Sequence, residues 1–105
     1  MGQARRRQNA AVRIVWSRRA VQHLAEIRTY IAKDHPQAAR AVAARILEGV
    51  DLLAGHPHIG RSGRLIGTRE LVVSGTPYVI PYRVKEDRLE LIAVFHGKQE
   101  WPRRL

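Results

Sequence analysis

A chain of 105 residues with 45% hydrophobic content has room for one domain and one core. It has no cysteine, which excludes a disulfide scaffold and a thiolate metal site, and no run approaching the roughly 18 apolar residues of a membrane span. The net charge of +10 is uneven: residues 1–19 carry six arginines and no acid, residues 20–60 are balanced, and residues 61–105 carry nine bases against five acids, so both ends suit an acidic or polyanionic partner.

Residues 1–11 read as a basic, disordered, solubilising arm, and residues 12–105 as one domain. With no apolar leader core at its start, the chain reads as cytoplasmic. Val12–Trp16 is a short β-favouring run that ends at Ser17, a residue able to cap a helix. Ala20, Leu24, Ile27 and Ile31 then repeat at helical spacing, which predicts a helix from about Ser17 to Asp34. His35-Pro36 breaks it, and Pro36 suits the first turn of a second helix. That helix is predicted to run to Ala54, with Ala39, Ala43, Ile46, Val50 and Leu53 on one stripe and Gly55 as its stop. The two form a long antiparallel hairpin. His56–Ile66 reads as a loop, without the Gly-Lys-Ser/Thr ending of a phosphate-binding loop.

Three β-favouring runs follow, Arg69–Val73, Tyr78–Val84 and Leu89–His96, separated by Ser74–Pro77 and Lys85–Arg88. They predict an antiparallel meander in which Val73 faces Tyr78 and Val84 faces Leu89. Period-two alternation then gives one apolar face, with Leu71, Val73, Tyr78, Ile80, Tyr82, Val84, Leu89, Leu91, Ala93 and Phe95, to be covered by the helices. The other face collects Glu70, Val72, Val79, Pro81, Arg83, Glu90, Ile92, Val94 and His96. Pro81 cannot donate to the ladder, so a bulge or a missing bond is expected there. The fold class is α+β: a strand, a helical hairpin, then a three-stranded antiparallel meander.

The order and spacing of several segments resemble the RelE/ParE superfamily of bacterial toxins, the toxin halves of toxin–antitoxin modules and plasmid stabilisation systems. The segments are Trp16-Ser17 with Ala20, Leu24, Ile27, Tyr30 and Ile31; Pro36 with its Ala-rich helix; Pro57-x-x-Gly60-Arg61; Gly67-x-Arg69-Glu70-Leu71; and Tyr82-Arg83-Val84 through His96-Gly97 to Trp101-Pro102. The resemblance covers about residues 12–102 and implies the same fold. RelE-like members cleave messenger RNA on the ribosome, and ParE-like members inhibit DNA gyrase without cleaving anything. Where RelE-like members resemble one another in their cations, this chain has Glu70, Val72, Val79 and Gln99, and Arg103-Arg104-Leu105 offers no terminal aromatic acid. Loss of those cations removes the electrostatics that RNA cleavage needs, so the resemblance favours the ParE-like branch.

The expectation is a type II toxin that binds and inhibits gyrase, neutralised in a hetero-oligomer by a ParD-like, ribbon-helix-helix antitoxin. No membrane is a partner. Val72, Val79, Pro81, Ile92 and Val94 are expected to form an exposed apolar strip that receives the antitoxin. Arg69, Arg83, His96, Lys98 and Trp101 are the candidate target-binding residues. In the alternative reading, a ribosome-dependent endoribonuclease, Arg83 and His96 would be catalytic. Their structural readings are an Arg83–Glu90 ion pair across the strands and His96 packed against Trp101. A third reading is a nucleic-acid binder without toxicity, using Arg5, Arg6, Arg7, Arg103 and Arg104. No metal or cofactor is expected, since His23, His35, His56 and His58 lack ligand spacing.

Overall fold

In a computed structural model of the chain, residues 12–102 are described. The expectations for residues 1–11 and for Arg103, Arg104 and Leu105 lie outside the described residues. The elements run β1 (Arg13–Trp16), α1 (Arg18–Ala32), α2 (Pro36–Gly55), β2 (Arg61–Ser62), β3 (Arg69–Val72), β4 (Tyr78–Val84), β5 (Arg88–Leu91) and β6 (Phe95–His96). Ser17 caps α1 as its chemistry predicts: its Oγ accepts from the Ala20 N–H at 2.9 Å and donates to the Ile92 carbonyl at 2.7 Å. The same hydroxyl therefore ends a strand, starts a helix and ties both to the sheet. Pro36 opens α2, and its buried stripe is Ala39, Ala43, Ile46, Val50 and Leu53. Gly49 lets α2 approach the sheet, because a Cβ there would stand 3.0 Å from Leu71 Cδ2.

The sheet order is β1-β5-β4-β3-β2, with β6 pairing β4 beyond the end of β5. The β1–β5 pair is parallel and the others are antiparallel. Both predicted meander registers hold near the turns: Val72 pairs with Val79, and Val84 with Leu89. Gly75 turns the first hairpin at φ +78°. The helices cover the predicted apolar face, where Ile46, Val50, Leu53, Leu71, Val73, Ile80, Tyr82, Leu89 and Leu91 form the main core. Each fully buried aliphatic side chain there contributes about 1.5–3 kcal/mol.

The last strand departs from the prediction. Tyr82 pairs with Leu91, but Val79 pairs with Phe95 and Tyr78 with His96. Three steps along β4 thus oppose four along its partner, and residues 92–94 bulge opposite Pro81, whose carbonyl accepts the Ile92 N–H at 2.9 Å. The missing donor at Pro81 gives the extra residue its place. Beyond the bulge every side chain changes face. Val94 joins the helix-side core, and Phe95 crosses to the other side with Ile92 and Ala93. The sequence assigned the opposite faces to Val94, Phe95 and His96.

Candidate partner-binding face of the sheet

The loop between α2 and β3 is pinned by the family-like motifs on either side of it. The Tyr82 hydroxyl donates to the Pro57 carbonyl and accepts from the Gly60 N–H, both at 2.9 Å. Burial pushes the Tyr82 phenol above its ordinary pKa, so it remains a donor. A Cβ on Gly60 would stand 2.5 Å from that hydroxyl, which is why glycine is needed in Pro57-x-x-Gly60-Arg61. Glu70, 2% exposed, accepts from Arg61 Nη2 at 2.9 Å and from the Arg64 N–H at 2.7 Å. Arg69 donates to the His58 and Gly60 carbonyls at 3.1 and 2.9 Å. Glu70 and Arg69 thus fasten a loop, and Arg69, a candidate for target contact, has its Nη1 committed within the fold.

The expected apolar strip is not exposed. Val79, Ile92 and Val94 are less than a tenth exposed and Pro81 is fully buried; of the five, only Val72, 51% exposed, faces solvent. The bulge moves Val94 to the helix side, where its N–H donates to His23 Nδ1 at 3.1 Å. The C-terminal segment covers the rest. Trp101 packs on Phe95 at 4.8 Å between ring centroids, beside Ile92 and Ala93, and the Arg64 guanidinium lies 3.6 Å over the indole. Trp101 is therefore half-buried packing rather than a free contact. Lys98 is exposed, and its N–H donates to His96 Nδ1 at 3.2 Å.

Arg83 and His96 do not meet. Arg83 faces Glu90 on the open side, whereas His96 pairs with Tyr78, five residues along β4 and so on the helix side. Its ring rests edge-on to Tyr78 at 5.8 Å, not on Trp101, which instead donates from Nε1 to the His96 carbonyl. His96 lines a small recess with His23, Glu26 and Gln99. Burial lowers the His23 pKa, which favours the neutral ring that accepts from Val94. No group of three or more His, Asp or Glu suited to a metal occurs among the described residues.

The predicted Arg83–Glu90 pair is replaced. Glu90 is held by Arg88 at 2.9 Å, two residues back on the same strand, and Arg88 also reaches Asp87 at 3.3 Å. Arg83 is left without a hydrogen-bond or ion-pair partner among the described residues. It overlooks a groove of ≈ 390 Å³ lined by Val15, Ser17, Arg19, Arg83, Glu90, Leu91 and Ile92. The sequence pointed to Arg83, Glu90 and Ile92. It missed Val15 and Arg19, because only the parallel pairing of β1 with β5, Val15 beside Glu90, brings them there. A parallel pair leaves no turn signal to read.

The arrangement is an α+β fold, a helical hairpin on a mixed sheet with a clamped loop, and comparison with known proteins places it in a family. Residues 14–101 match the family described as ParE toxin of type II toxin-antitoxin system, parDE. The chain is 50% identical over 93 residues to the Y4kP protein of Sinorhizobium fredii, covering 89% of this chain and 96% of that one. It is 38% identical over 84 residues to toxin RelE2 of Caulobacter vibrioides, covering 80% and 93%. A chain in the solved structure "Chromosomal ParDE TA system from P. aeruginosa" matches the fold with a TM-score of 0.75 at 24% identity, over 82% of this chain and 96% of that one. The protein belongs to the ParE toxin family of type II toxin–antitoxin systems.

Proposed function

We propose that this toxin acts by binding, inhibits DNA gyrase, and is held inactive by a ParD-like antitoxin in a hetero-oligomer in the cytoplasm. The observation that carries the reading is the bulge at residues 92–94. It puts His96 and Arg83 on opposite sides of the sheet, which counts against their acting together on one phosphate, as the RNA-cleavage reading requires. Glu70, at a position where RelE-like members resemble one another in carrying lysine, is buried and spent on the loop. Family membership supports the antitoxin, as does a basic surface with an unpartnered arginine.

The test is a supercoiling assay with purified toxin and gyrase. Supercoiling should fall as toxin approaches the gyrase concentration and return when antitoxin is added. Unchanged supercoiling at saturating toxin, together with cleavage of transcripts on translating ribosomes that His96→Ala abolishes, overturns the proposal in favour of an endoribonuclease.

A further inference from the structure

The bulge at residues 92–94 is tied to α1 by two side chains. Ser17 Oγ donates to the Ile92 carbonyl at 2.7 Å, and the Val94 N–H donates to His23 Nδ1 at 3.1 Å. The first fastening does not titrate near neutral pH, and the second does. An imidazole accepts through Nδ1 only while it is neutral, because a protonated ring carries a donor on both nitrogens. Val94 is 3% exposed, so water does not replace a lost acceptor while the strand stays in place. His23 also supports the end of the sheet. Its ring lies 5.3 Å from that of Phe95, Phe95 packs on Trp101 at 4.8 Å, and the Trp101 indole donates to the His96 carbonyl at 3.4 Å. The ring is half-buried, beside a recess of ≈ 190 Å³ that gives it room to turn.

We propose that His23 is a proton-operated catch on the end of the sheet. Neutral, it holds the Val94 side of the bulge against α1; protonated, it turns away to Glu26 and frees β6 and the segment that carries Trp101. The catch does not depend on what the toxin acts on. Glu26, exposed and three residues further along α1, is placed to receive the charged ring, and its carboxylate already accepts from Gln22 at 3.1 Å. Arg19, one turn earlier, opposes the charge. From β4 the Tyr78 phenol faces the recess, pushed above its ordinary pKa by burial and so neutral. From β6 His96 faces it, its Nδ1 accepting from the Lys98 N–H, and Gln99 adds no charge. Burial is the largest influence on His23 and lowers its pKa; Glu26 raises it and Arg19 lowers it further. With the folded value below the 6.5 of a free imidazole, the fastening is complete above that pH and is lost as pH falls through the folded value. Release uncovers Ile92, Ala93 and Phe95, the small apolar cluster under Trp101.

The experiment follows the isotope-labelled full chain by NMR from about pH 7.5 down to about pH 5, a range that spans histidine titration. Protection of the Val94 amide, corrected for the intrinsic pH dependence of exchange, should fall about tenfold per pH unit below the His23 midpoint. The Trp101 indole signal should shift with the same midpoint. Amides of α2 should keep their protection throughout, which separates local release from acid unfolding. His23→Asn offers an amide oxygen near the place of Nδ1 and cannot titrate, so Val94 should stay protected over the whole range. Glu26→Gln should move the midpoint to lower pH, and His96→Gln should leave the Val94 profile unchanged. His23→Leu should leave Val94 weakly protected at both ends of the range. Val94 protection that stays flat in the wild type, whether or not the ring titrates, overturns the catch. A full pH response in His23→Asn, or its disappearance in His96→Gln, gives the switch to another group and overturns it as well. Loss of α2 protection together with that of Val94 means global unfolding, and the inference is then wrong.

Discussion

At the scale of single residues, Glu70 shows how a charge can be buried for structural ends. Its carboxylate accepts from one guanidinium and one backbone N–H, with Arg64 Nε 3.7 Å away, so both oxygens are satisfied although the side chain is sealed from water. Removing one partner of a buried charged pair is costly because the other groups keep their unmet needs. Glu70→Ala should therefore destabilise the fold by about 3 kcal/mol in urea unfolding, and Glu70→Gln by less, because an amide oxygen can still accept. Reversing the charge of exposed Glu86 instead should change stability by under about 0.5 kcal/mol. An unfolding midpoint for Glu70→Ala equal to wild type would mean that the loop is held by Tyr82 and Arg69 alone. The sequence presented Glu70 only as an acid where a cation was missed. Its job was hidden because its partners, Arg61 and Arg64, lie across a loop whose path periodicity does not encode.

At the scale of elements, the helices and hairpins were legible because each carries a local signal. Ser17, Pro36 and the apolar stripes fix the helices, and the turns at 74–77 and 85–88 fix the registers near them. The end of the sheet was not legible, since one residue inserted at Pro81 inverts everything after it. Pro81 itself gave the warning, but not which strand would bulge. The inversion has a packing consequence. Phe95 leaves the predicted helix-side face for the side where Ile92 already lies, and Trp101 covers both, with Arg64 above it. Trp101→Ala should cost about 3 kcal/mol and raise binding of an apolar dye, as Ile92 and Phe95 lose their lid. Arg64→Gln should cost under about 1 kcal/mol, the worth of a cation–π contact open to solvent. Equal stability of wild type and Trp101→Ala would show that the open face does not depend on this tail.

At the scale of the whole molecule, the choice between binder and enzyme has a consequence that does not depend on knowing any single contact. An enzyme turning over at about 1–10³ per second destroys a large excess of target within minutes. A binder occupies at most one site per molecule. With a dissociation constant below the target concentration, its effect grows in proportion to the ratio of toxin to target and stops at equivalence. The proposed function, supported by the separation of Arg83 from His96 and by the commitment of Glu70 and Arg69 to the loop, makes this toxin a stoichiometric binder. Inhibition of purified gyrase should therefore be linear in added toxin up to about one equivalent per toxin site, and 0.01 equivalents should have no measurable effect (about a hundredfold below the amount needed). Antitoxin added afterwards should restore activity at the rate of toxin dissociation, with no new synthesis of target, because no covalent bond has changed. Loss of target function at 0.01 equivalents, or damage that persists after antitoxin has removed the toxin, would instead require a chemical step on the target and would overturn the binding reading.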